Sequence, residues 1–175
     1  MQWELRRIAD LTAQEQAAVQ TLSRAVYPPG AEWPGRSIEW AAREQCILAW
    51  DATGQAVCHI GLHLCQGRWN ERPVKIGGIG GVQTHPAFRG RGLASDGIGQ
   101  ALDFFRARDV DFGLLVCEPA LIPFYERLGW QPFDGHLLVI QQHATVPFTF
   151  NRPMTIPVQL HESLMGRIDL MGPPW

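Results

Sequence analysis

The 175-residue sequence contains no Gly-Lys pair, which excludes a phosphate loop of the type Gly-x-x-x-x-Gly-Lys-Ser/Thr. It has no Cys-x-x-Cys either. Cys46, Cys58, Cys65 and Cys117 stand apart, and a chain of this size needs no disulfide staples, so reduced, mostly buried thiols are expected rather than a metal or redox site. No apolar h-region follows the opening Met-Gln-Trp-Glu-Leu-Arg-Arg, and no stretch reaches about 18 uninterrupted apolar residues. Neither an export signal nor a membrane partner is therefore expected, and a cytoplasmic location is the default. An excess of one charge is missing as well. With a formal net charge of −2 and a pI near 6.3, the chain lacks the strongly basic face that a nucleic-acid partner would require. Repeats and low-complexity tracts are absent. A content of 46% hydrophobic and 18% charged residues argues against disorder, and the length suits one domain over residues 1–175 with a buried core.

What is present centres on Val82-Gln-Thr-His-Pro-Ala-Phe-Arg-Gly-Arg-Gly-Leu-Ala94. This reads as a strand end passing through a glycine-rich basic turn into the first turn of a helix. Such a turn offers several backbone N–H groups where unpaired donors and the helix dipole favour a phosphate or pyrophosphate. Gly90 and Gly92 let the main chain approach that anion, and Arg89 and Arg91 add charge. The plain alternative is a basic surface turn that binds nothing. A dinucleotide fingerprint, Gly-x-Gly-x-x-Gly/Ala, is a second alternative: Ser95 stands where its third small residue belongs, and Asp111 falls about 20 residues on, where a ribose-binding acid is needed.

Along the chain, residues 3–8 read as an edge strand, and Thr12-Ala-Gln-Glu15 as a capping box opening a helix with Val19, Leu22 and Val26 on one face. Pro28-Pro29-Gly30 stops it. Residues 31–43 read as a loop with a short helix, holding Glu32, Trp33, Glu39 and Trp40, which either grip an acceptor or cover the core. Strands are expected over 46–50 and 56–65, the latter with Ala56, Cys58, Ile60, Leu62 and Leu64 on one face. Residues 67–73 turn the chain into a strand over 74–84 broken by Gly77-Gly78 and Gly80-Gly81, where a bulge or a close ligand approach is allowed. His59 and His63 suggest a metal pair, but four residues of strand span about 13 Å, too far for one ion. A helix over 93–108, a strand over 112–117, a helix from Glu118-Pro119 to Gly129 and strands over 137–141 and 154–160 complete an α/β pattern with a parallel crossover and antiparallel meanders.

Val82 followed by Arg89-x-x-Gly92-x-Ala94 resembles the acetyl-coenzyme A signature of the GNAT superfamily of N-acetyltransferases. Residues 119–133, Pro-Ala-Leu-Ile-Pro-Phe-Tyr-Glu-Arg-Leu-Gly-Trp-Gln-Pro-Phe, resemble its Ala-x-x-x-Phe-Tyr-x-x-x-Gly-Phe segment. The resemblance covers about residues 74–133. It implies a mixed, mostly antiparallel sheet with a splayed central strand pair and helices on both faces. It further implies that acetyl-coenzyme A is held by Val82, Gln83, Thr84, Arg89, Gly90, Arg91, Gly92, Leu93 and Ala94. The pantetheine arm would follow the main chain of Val82 and Thr84, and strand N–H groups near Gly81 or Val82 would polarise the thioester carbonyl.

Tyr125 occupies the family's tyrosine position, whose hydroxyl protonates the departing thiolate; a core tyrosine is the alternative. Glu118 is the candidate base, with Glu32 and His63 behind it, or else only a charge at a helix N-terminus. The expected partner is a small-molecule amine, contacted by Glu32, Trp33, Gly80 and Trp175; a homodimer is compatible with this reading. A narrower similarity to aminoglycoside 2'-N-acetyltransferases, and more loosely to nodulation-factor acyltransferases, meets two departures. Gly80 stands where the aminoglycoside enzymes carry a glutamate, and Gly172-Pro173-Pro174 where they carry an aspartate. An acyl-coenzyme A binding module without turnover is the alternative from another class.

Overall fold

Strand β1 (Gln2–Arg7) and helix α1 (Ala13–Val26) open the chain in a computed structural model that describes residues 1–27, 30, 34–160, 162 and 164–175. The capping box forms as its spacing predicts. The Glu15 amide donates to the Thr12 hydroxyl at 3.3 Å and the Thr12 amide to the Glu15 carboxylate at 2.7 Å, a device worth about 1 kcal/mol. Arg6 grips the same carboxylate at 2.7 Å, tying β1 to α1 and holding Glu15 down at a pKa of about 2.

Two compact units make up the structure, the first comprising Met1–Pro34, Arg43–His63 and Ile79–Ala101. Here β1 pairs antiparallel with β2 (Gln45–Trp50), from Gln2 opposite Trp50 to Arg7 opposite Gln45. β2 pairs antiparallel in turn with the start of β3 (Ala56–Trp69), Gln45 lying opposite Leu62. Period-two alternation sends Cys46, Leu48 and Trp50 of β2 into one core with Leu11, Leu22 and Ala56. β4 (Arg72–Thr84) ends in this unit, and α2 (Leu93–Arg106) begins in it. Gly97 of α2 lets the helix settle on β3; a Cβ there would come within 2.8 Å of Ile60.

The second unit comprises Gly35–Ala42, Leu64–Gly78 and Leu102–Trp175. It adds β5 (Phe112–Cys117), α3 (Ile122–Glu126), β6 (Gln131–Pro132), β7 (His136–Gln141), β8 (Ala144–Pro147), β9 (Arg152–Pro157) and β10 (Arg167–Asp169). Strand order in its sheet is β6-β9-β5-β4-β3-β10-β7-β8. The β5–β9, β6–β9, β3–β10 and β7–β8 pairs are antiparallel, and β7–β10 is parallel. Its core gathers Trp69, Val74, Ile76, Phe112, Leu114 and Phe133, with Trp175 closing over it. Gly78 makes room for that indole, since a Cβ would fall 2.2 Å from Trp175 Cε2.

The mixed α/β fold with a mostly antiparallel sheet is the one the pattern implies, and its differences from expectation are local. β3 runs on to Trp69, because the reversal needs only Asn70 and Glu71, both left-handed at φ 47° and 67° as a tight hairpin requires. Leu64, two residues past the last β2 partner, is 40% exposed and not part of the buried face. The expected helix over 118–129 divides into a 3-10 turn, Pro119–Leu121, and the five residues of α3, since Pro119 and Pro123 each remove an N–H. β6, β8 and β10 were not anticipated: two to four residues are too few to show a period. All four cysteines are free thiols, three of them buried and Cys65 half-buried. Among the described residues, no helix is long and apolar enough to cross a membrane.

Candidate functional site

Local contacts set the path of the turn between β4 and α2. The His85 ring nitrogen accepts the Ala87 amide at 3.3 Å and Pro86 opens a 3-10 turn, Pro86–Phe88, so the chain leaves the strand in a fixed direction. Gly90 and Gly92 then take φ 74° and 80°, left-handed conformations that reverse the chain into the helix. The Asp96 amide closes the first helical turn on the Gly92 carbonyl at 2.9 Å, leaving the amides ahead of it without partners inside the helix. A Cβ at Gly90 or Gly92 would meet nothing within 4 Å, so both glycines face open space where a ligand can approach. Arg91 leans on the Phe88 ring at 4.9 Å and on the Ala87 carbonyl at 3.3 Å, while Arg89 Nε lies 3.4 Å from the Thr84 carbonyl. Among the described residues neither arginine meets a carboxylate. The residues fit a diphosphate: open glycines, two cations joined to no carboxylate among the described residues, and a helix N-terminus.

Upstream in the same unit, β4 departs from regular geometry at Gly81, where φ is 56°. The Nδ1 atom of His59 lies 2.8 Å from the Gly81 carbonyl and clamps the departure in place. Gly61 allows the Gly80 carbonyl to approach; a Cβ there would be 2.6 Å from it. Of the residues expected to carry coenzyme A, Val82 and Thr84 are half-buried, whereas the Gln83 side chain turns inward, 5% exposed, its Nε2 3.4 Å from Ser23 Oγ and its Oε1 without a hydrogen-bond partner. Gln83 therefore has only its main chain to offer a ligand.

His59 and His63 are both pushed down to a pKa of about 4, chiefly by burial and further by the charge of Arg43. They stay neutral in the fold while free histidine titrates near 6.5. The unfolded chain thus binds more protons, and stability is full above about pH 6.5 and falls as the pH drops toward 4, by an upper limit on the order of 3 kcal/mol per group. Urea midpoints taken from pH 7 to 4.5 are expected to fall, and to fall less in His59→Gln. Glu15, lowered from 4.5 to about 2, begins to act only at the bottom of that range and does so equally in both proteins.

The second unit holds Glu118, Tyr125 and Trp175. Glu118 follows β5 as an exposed residue ahead of the Pro119 turn, and its side chain makes no cap hydrogen bond. Tyr125 is 6% exposed, its ring edge-on to Phe124 at 5.0 Å and to Trp130 at 6.4 Å. Trp175, expected against the acceptor or over the core, lies 8% exposed on Gly78 with its indole N–H 3.3 Å from the Leu114 carbonyl. Trp40 covers Phe148 and Phe150 edge-on, each at 6.2 Å. A cleft of about 360 Å³ opens nearby in sequence terms, lined by Pro119, Phe133, Leu137, Phe148, Phe150 and Arg152. Asp111, the acid of the dinucleotide alternative, is engaged in the fold: its carboxylate accepts the Lys75 amide at 2.7 Å. Glu32 and Trp33 lie outside the described residues. Sequence reasoning did not find Arg43 or the hydrogen bond from His59, which join residues with no shared motif.

Residues 7–133 match the acetyltransferase (GNAT) domain family. No curated protein matches the chain at a significant level. Among solved structures, the GNAT-family N-acetyltransferase YhbS from Escherichia coli, in complex with CoA, superposes with a TM-score of 0.64 at 15% identity, over 99% of this chain and 96% of that one. A GNAT-family acetyltransferase from Brucella melitensis in complex with acetyl-CoA gives 0.60 at 15% identity, over 95% and 94%. An acyl-CoA N-acyltransferase from Pseudomonas aeruginosa gives 0.61 at 20% identity, over 88% and 97%.

Proposed function

The chain belongs to the acetyltransferase (GNAT) family, and from that premise we propose that it is an acetyl-coenzyme A-dependent N-acetyltransferase acting directly on the amine of a small molecule. The observation that carries this reading is the turn after β4, where two left-handed glycines that alternate with two arginines face open space ahead of a 14-residue helix. Arg89 to Ala94 would hold the diphosphate through main-chain amides and charge, and Val82 and Thr84 would hydrogen-bond the pantetheine arm. Bound acetyl-coenzyme A supplies an activated acyl group and a thiol leaving group.

The chain's own residues then manage charge and protons. The main-chain N–H groups near Gly81 and Val82 are the donors for developing negative charge on a carbonyl oxygen, and the His59 clamp fixes their direction. Glu118 takes a proton from the acceptor nitrogen. Tyr125 gives its hydroxyl proton to the departing sulfur, a suitable match because a phenol with a pKa near 10 is a competent acid toward a strongly basic thiolate. Gly80 belongs to the acceptor's surroundings in this reading.

Calorimetry of the purified protein with acetyl-coenzyme A, followed by thiol release with a panel of amines, tests the proposal. Binding plus amine-dependent release supports it. Binding without release from any amine would reduce the chain to an acyl-coenzyme A binding module. No heat at millimolar acetyl-coenzyme A, or binding of NADH in its place, would remove the reading altogether.

A further inference from the structure

The irregular step at Gly80–Gly81 carries a feature that bears on the acceptor's chemistry. Arg43 lies against it in a seat made by two glycines. A Cβ on Gly61 would come within 2.8 Å of the arginine Cδ, and one on Gly81 within 2.9 Å of its guanidinium carbon. The stem is thus laid along β3 and the guanidinium held over the Gly81 peptide, while the residue remains exposed enough for a ligand to reach.

Arg6, Arg7, Arg68, Arg106, Arg152 and Arg167 are each joined to a carboxylate. Arg43, among the described residues, is joined to none and makes no side-chain hydrogen bond. Its titratable neighbours on the same face of β3, by period-two alternation, are His59 and His63, both of which feel its positive charge and neither of which carries a negative one. A guanidinium laid against these glycines, with its planar fork of donors unspent and joined to no acid among the described residues, is suited to a planar oxyanion.

We infer that Arg43 is the recognition point for a carboxylate on the acceptor, so that the substrate class is an amino acid or a similar amine bearing a free carboxylate. The inference rests on the N-acyltransferase reading above. A bidentate, charge-assisted contact at a partly exposed site gives a preference of about tenfold or more over a neutral isostere.

A panel of amino acids, each paired with its primary amide, tests the idea on the whole protein. The wild type is expected to favour each accepted acid over its amide by at least about tenfold in kcat/KM expressed per neutral amine, the correction being needed because the α-ammonium of the amide is the stronger acid. Arg43→Gln is expected to remove that gap, and Arg43→Lys to keep part of it by retaining charge without the fork. Equal use of acid and amide by the wild type, or a gap that survives Arg43→Gln, overturns the inference. Should no amine be acetylated, the proposed function fails separately, and titration of the same acids and amides by calorimetry decides the subsite. Acid-selective binding lost in Arg43→Gln upholds it; no selective binding ends it. The acid-to-amide ratio in the wild type stands even if a variant does not fold.

Discussion

Gly92→Val is expected to weaken acetyl-coenzyme A binding by on the order of 100-fold, equivalent to about 3 kcal/mol, while leaving the protein folded. Gly92 takes φ 80°, a region where a β-branched residue is strained by about 1–3 kcal/mol, so the turn must either re-form or hold a poor conformation. If it re-forms, the helix N-terminus loses its aim; if it holds, the new methyl groups occupy the open space an anion would use. The exposed position limits the damage to the core, so the melting temperature should move by only a few degrees, roughly as a 1–2 kcal/mol change does in a domain of this size. Gly92→Ala should lie between the two. Calorimetry of the three proteins side by side checks this, and an unchanged Kd in Gly92→Val would deprive the turn of its assigned role.

Tyr125→Phe is expected to lower kcat by about 100-fold with acetyl-coenzyme A affinity unchanged, the usual scale for loss of a positioned proton donor. The ring itself is retained, and with it the edge-on packing on Phe124 and Trp130 at 5.0 and 6.4 Å, so the variant isolates the hydroxyl from the core it sits in. A core tyrosine would give the opposite pattern: a small loss of melting temperature and full turnover. Steady-state kinetics on a good amine acceptor, with the affinity measured separately, distinguishes the two outcomes.

Much of the fold was legible because its signals are local. The Thr12–Glu15 capping box, the apolar strand run of β2, the proline and glycine boundaries and the glycine-rich turn before α2 each depend on residues within about one helical turn or one hairpin of each other, a range in which sequence spacing and spatial position are nearly the same thing. The short strands β6, β8 and β10 were not legible, since what makes them strands is the partner alongside, not their own two to four residues. The place of Trp175 was not legible either, since its packing on Gly78 joins residues far apart in the chain.

The sequence by itself determined the α/β class, the turn at residues 89–94 with its suitability for an anion, and the family that both point to. Tertiary structure alone decided that Gln83 turns inward, that His59 clamps Gly81 and that Arg43 is seated across Gly61 and Gly81. The reason is that these contacts join residues 18 to 60 positions apart, where pairing of strands and packing of a helix, not any period along the chain, fix who meets whom.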